Sequence, residues 1–76
     1  MARSRQHWTP EAIGRRRRLH AQVDVLALTA PAAAARLRLQ LYTLSHEVEQ
    51  GALGGEALGE RLAALESDPA FRALAA

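Results

Sequence analysis

An all-α fold, either an antiparallel helical hairpin or a small three-helix bundle with a short C-terminal helix, is predicted by three features of the sequence. Ala and Leu dominate while β-branched residues are few. Apolar residues recur at three- and four-residue spacing through three segments. Each of those segments is bracketed by residues that start and stop helices.

Residues 1–8 are expected to form a flexible basic N-terminal arm, and residues 9–76 a single small helical domain. Helix one should run from about Pro10 to Leu28. Thr9 is placed to cap it, Pro10 suits its first position, Glu11 faces the positive end of the helix dipole, and Trp8 and Ile13 have the spacing of a hydrophobic staple. Pro31 in "TAP" pushes Ala30 out of the helical region and ends that helix. Helix two then starts at Pro31, capped by Thr29 or Ala30, and should reach about Gln50. Within it, Arg36 to Thr43 alternates apolar and polar residues as a half-buried strand does. Context decides for helix, because alanines flank the stretch and no second strand is visible to pair with it.

Gly51 fits the left-handed residue that closes a helix, Gly54 is a cap for the next, and Leu53 and Leu58 again have staple spacing. Helix three should cover about Gly55 to Glu66 with Leu58, Leu62 and Leu65 on one face. Gly59 inside it costs roughly 1 kcal/mol against alanine, which a close helix approach would explain. "SDPAFRALAA" restarts once more, with Asp68 as cap, Pro69 at the first position, and Phe71 and Leu74 free to dock back.

At about 100° per residue, helix two carries two apolar stripes. Ala34, Leu37, Leu41, Leu44 and Val48 form one, and Ala35, Leu39, Tyr42 and His46 lie nearly opposite. Helix one repeats the pattern, with Leu19, Val23 and Leu26 on its main face and Ala21, Val25 and Leu28 across from it. Two arrangements would cover a second stripe: helix two as the middle of a bundle between helices one and three, or contact with another chain. The first leaves Val25 and Leu28 without cover. A chain of this size buries only about 60% of the surface its unfolded form exposes, and with no cysteine it has no disulfide staple. Contact with another chain is therefore expected through Val25, Leu28, Leu39, Tyr42 and His46, with Tyr42 as the best anchor.

Charge is unevenly placed. Met1 to Arg38 holds eight Arg against Glu11 and Asp24, a net of +6; Leu39 to Ala76 holds Arg61 and Arg72 against five Glu and Asp68, a net of −4. Such asymmetry points to acidic partners. Arg15 to Arg18, four consecutive residues, span most of the helical wheel and cannot form one face. Arg16 falls on the apolar side of helix one and must snorkel or find a carboxylate. An antiparallel helix two is expected to bring Glu47 and Glu49 to this cluster. The alternative partner is nucleic acid, met by Arg3, Arg5, Arg17 and Arg18 through salt-sensitive, sequence-blind phosphate contacts. Neither helix-turn-helix spacing nor an aromatic stacking platform accompanies them.

"EQGALGGEALGERLAAL", within Leu41 to Leu65, resembles the helix–glycine–leucine–turn–glutamate–helix hairpin of the bacterial SHOCT family, over about a third of the chain. Gly54 stands where that family has a Thr or Ser cap. The resemblance implies a tight helical hairpin and agrees with oligomerisation. "HWTPEA" resembles the start of a Myb-like helix, but the later tryptophans of that pattern are missing.

Catalysis finds little support. His46-Glu47 lacks the second His of a zinc-protease helix motif, and the His20/Asp24 and His46/Glu49 pairs supply only two metal ligands each. Ser45 and His46 are adjacent on a helix and point about 100° apart, which spoils a nucleophile–base pair. The expectation is thus a non-enzymatic protein without metal or other cofactor, acting as an oligomerising subunit, adaptor or chaperone. "RRRRLHAQVDVLALTAPAAAA" has the order of a secretion signal, but His20, Gln22 and Asp24 interrupt its apolar part. With no run of eighteen apolar residues, no membrane partner is expected, and the cytoplasm is the expected compartment. Joint enrichment in Ala, Arg, Gly and Leu is associated with GC-rich bacterial or phage genomes.

Overall fold

The computed structural model describes residues 8–75, and the remainder of the basic N-terminal arm, with Arg3 and Arg5, lies outside them. Three long helices, α1 (Pro10–Leu26), α2 (Pro31–Glu49) and α3 (Gly55–Glu66), precede a 3-10 turn (Pro69–Phe71) and a last short helix, α4 (Arg72–Ala75). Among the described residues there is no strand, so the alternating stretch from Arg36 to Thr43 lies within α2. The bundle is elongated, 43 × 17 × 16 Å.

Local chemistry accounts for each boundary. The Thr9 hydroxyl accepts a hydrogen bond from the Ala12 amide at 3.1 Å, and Pro10 opens α1 where its missing N–H costs nothing. Helix α1 stops at Leu26, two residues before the expected end. Pro31 holds Ala30 at φ −139° and ψ 70°, and the Leu28 and Thr29 amides turn back to the carbonyls of Val25 and Leu26. Leu28 therefore sits in the turn. Helix α2 closes on Gly51, whose φ is 78°: the Gly51 amide bonds the Val48 carbonyl and the Ala52 amide bonds that of Glu47, the paired bonds of a Schellman cap. Gly55 is also left-handed, at φ 57°. An L side chain would strain there, which explains the third glycine of "GALGGEAL". At the other end of α3, the Asp68 carboxylate accepts from the Ala70 amide and starts the C-terminal turn.

The helices meet through one apolar layer. Leu19, Val23 and Leu26 of α1, the five residues of the inner stripe of α2, and Leu58, Leu62 and Leu65 of α3 are all buried. Each fully buried aliphatic side chain of this size contributes about 1.5–3 kcal/mol. Trp8, Ala27, Ala30, Ala33, Ala70 and Phe71 pack around that layer. Helix α1, not α2, is the central element, because it packs against α2, α3 and both short C-terminal elements. Helix α2 lies antiparallel to α1, with Asp24 beside Arg38 and His20 beside Tyr42. Helix α3 runs parallel to α1. Of the two arrangements that would cover the second stripe of helix two, the one with helices one and three on opposite sides is not formed: both approach its inner side, and its outer stripe stays bare.

Candidate interaction surface

Two sets of expected contact residues fall on different parts of this frame. On α2, Leu39 is 66% and Tyr42 61% exposed, and His46 is exposed on the same side. On α1, Val25 is 53% exposed, and Leu28 in the following turn is 83% exposed. Leu39, Tyr42 and His46 are brought together, at three- and four-residue spacing along one outward side. Val25 does not join them. His20 and Asp24 occupy the α1 flank that meets α2, and Val25 projects about 100° from Asp24, away from α2.

The setting of Tyr42 was not legible in the sequence. Its ring stands 6.3 Å from that of His20, centroid to centroid, tilted by 52°. One turn away, Arg38 donates to the Asp24 carboxylate at 3.0 Å. These contacts place Tyr42 on the flank of α2 that meets α1. On its other flank an open groove of about 480 Å³ runs between α2 and α3. Leu39, Leu44, Ala64 and Leu65 supply its apolar lining, and Gln40, Thr43, Arg61 and Asp68 its polar edges. Small residues at Thr43 and Ala64 are the signal that was present, but which gap they leave depends on how α3 crosses α2.

The groove is bordered by ion pairs. Arg36 grips Asp68 with two bonds of 3.0 and 3.1 Å, and Arg61 meets Glu47 at 3.2 Å. Hydrogen bonds from Arg36 and the Ala70 amide hold the Asp68 carboxyl below its ordinary range, and Asp68 in turn raises the Arg36 guanidinium. Glu47 is therefore taken by α3. The expected approach of Glu47 and Glu49 to the arginine run is corrected, because Glu47 lies on the α2 flank turned to α3.

Arg15 is the member of that run that finds a carboxylate, and the carboxylate is Glu66. Two bonds of 2.9 and 2.8 Å join them, and a third reaches the Gly59 carbonyl at 3.4 Å. The bond from Arg15 holds the Glu66 carboxyl down, and Glu66 raises the guanidinium. A β-carbon on Gly59 would sit 3.9 Å from the Arg15 guanidinium, ordinary contact, so close helix approach does not explain that glycine. Arg16 lies 4.2 Å over the Trp8 ring, a cation–π contact that resolves its place on the apolar side. Arg17 and Arg18 are exposed, and among the described residues no carboxylate lies within 4.0 Å of either.

Among the described residues no three His, Cys, Asp or Glu side chains are grouped to hold a metal ion, and the Asp24 carboxylate is occupied by Arg38. No helix among them is long and apolar enough to cross a membrane. No protein-family model matches the chain, and comparison with the curated proteins and with the solved structures finds no match.

Proposed function

We propose that this chain is a small non-enzymatic protein-interaction module, an oligomerising subunit, adaptor or chaperone, that receives another helix along the outer side of α2. The observation that supports this most is the exposure of Leu39 and Tyr42 on a helix whose inner stripe is already fully buried. Neither residue is needed to close the core. Covering a few hundred Å² of such surface contributes several kcal/mol at about 25 cal/mol per Å². An exposed aromatic beside an apolar groove is also how helix-in-groove recognition anchors its partner.

A second reading rests on Arg17 and Arg18, which make no ion pair within 4.0 Å among the described residues, although the charge of Arg18 adds to that of Arg15 in holding the Glu66 carboxyl down. With Arg3 and Arg5 they would give a nucleic-acid-binding regulator that contacts phosphates without reading sequence. The two readings separate in one experiment. A photoreactive residue at position 42 is expected to link to protein in extracts, while one at the exposed position 57 of α3 is not. Equal labelling at both, together with duplex DNA binding that falls steeply with salt and is lost in the Arg17→Ala/Arg18→Ala variant, would replace the first reading by the second.

A further inference from the structure

We infer, on the reading of α2's outer side as an interaction surface, that its partner is a second copy of this chain, the two α2 helices running parallel and each Tyr42 entering the other's α2–α3 groove. Two observations point to that occupant. The outer side of α2 has heptad spacing: Ala32, Leu39 and His46 stand seven residues apart, as do Ala35, Tyr42 and Glu49, and all six are exposed. Interleaved rows at that spacing are the seam by which one helix packs along another.

A knob and a hole also occur at the same height on opposite flanks. Tyr42 rises from the flank that meets His20, and the groove opens on the flank that meets α3, beside Leu39, Gln40 and Thr43. A two-fold axis along the helix sets each flank against the opposite flank of the other copy. Both tyrosines then find a groove at their own level, and Leu39 meets Leu39 on the axis. In an antiparallel pair like flanks would meet, and each Tyr42 would miss the groove.

Charge does not oppose an identical partner. Arg38 with Asp24, Arg36 with Asp68 and Arg61 with Glu47 are already paired along the two borders of the seam, so two like copies meet without net repulsion there. Glu49, at the far end, faces the flank that carries Arg61. Arg17 and Arg18 on α1 are the reverse case, a like-charged patch that a copy would avoid.

The test uses the purified full chain. Sedimentation velocity from micromolar to millimolar concentration should show the mass rise from one chain to two. Because the sequence has no cysteine, Leu39→Cys and His46→Cys each report register cleanly. Both should form disulfide-linked dimers on mild oxidation, whereas Glu56→Cys on the outside of α3 should not. Ala64→Phe fills the groove from an exposed position and Tyr42→Ala removes the knob. Each should weaken the dimer at least tenfold, with helix content and dilute-solution melting unchanged.

A single-chain mass at every concentration overturns the inference, as does a dimer that His46→Cys fails to link or that Ala64→Phe leaves intact. A monomer that still links to other proteins through position 42 would remove the self-pairing and keep the interaction module. One that links to nothing would remove both.

Discussion

The two sides of α2 hold similar residues in different circumstances. On the inner side Ala34, Leu37, Leu41, Leu44 and Val48 are at most 1% exposed; on the outer side Leu39 and Tyr42 are more than half exposed. Leu37 and Leu39 differ by two steps of about 100° around the same helix, and nothing in helix propensity separates them. Cover separates them. Helices α1 and α3 reach α2 from one side, and the tyrosine side is left to whatever approaches from outside. The lesson is that apolarity on a helix marks a face that wants burial, while the crossing of neighbouring helices decides whether the chain meets that want itself.

Leu41→Ala should produce the largest effect. It removes a side chain of the inner stripe that is 1% exposed, and about 2–5 kcal/mol of stability with it, enough to unfold much of so small a domain. Urea denaturation followed by circular dichroism measures this. A loss below about 1 kcal/mol would mean that the inner side tolerates a cavity, and the contrast between the two sides would fail.

Next comes the turn that aims α3 at the inner side. Gly55→Ala places a β-carbon at φ 57° and should cost about 1–2 kcal/mol, although nothing lies within 4 Å of that carbon. Gly59→Ala, four residues on within α3, meets only ordinary contact and should gain about 0.5–1 kcal/mol. Thermal melting of the two variants should therefore move in opposite directions. If both fall, a β-carbon at position 59 displaces the Arg15 side chain beside it and so disturbs its grip on Glu66.

Much of the inner side was legible because each of its determinants is local. Thr9, Pro10, Pro31, Gly51 and Asp68 act within a few residues of themselves, and the stripes of α1, α2 and α3 follow from periodicity, so the three helices end within two residues of expectation. What failed was the choice of neighbour. An antiparallel hairpin puts Glu47 at the height of the arginine run, but height does not fix flank, and α3 claims that flank through Arg61. The groove was invisible for the same reason, being a gap between elements and not a property of either. A cap at Gly54 already accounts for one glycine, and nothing in the local sequence distinguishes a left-handed Gly55 from an ordinary first residue of α3.

Ion pairs holding that cover in place should give a smaller, pH-dependent effect. Glu66 and Asp68 titrate below their ordinary range in the fold, so the stability they lend is present above that range and disappears as pH falls through the lowered values. The melting temperature should drop between about pH 5 and pH 2, and Glu66→Gln should start lower by about 1 kcal/mol or less at neutral pH, then lose less on acidification. A variant with the same acid slope as the parent would show that Arg15 and Glu66 are not coupled in solution.

The smallest effect is the most discriminating. In dilute solution, where the chain has no partner, Leu39→Ala removes a side chain that is 66% exposed and should shift stability by no more than about 0.5 kcal/mol, against several for Leu41→Ala two residues away. At high concentration, melting of the parent should rise with concentration, because a partner that binds only the folded chain stabilises it by mass action, and Leu39→Ala should abolish that rise. If Leu39→Ala were as damaging as Leu41→Ala at every concentration, the outer side would be contributing to the fold of the single chain. The surplus apolar surface on which the interaction reading depends would then not exist.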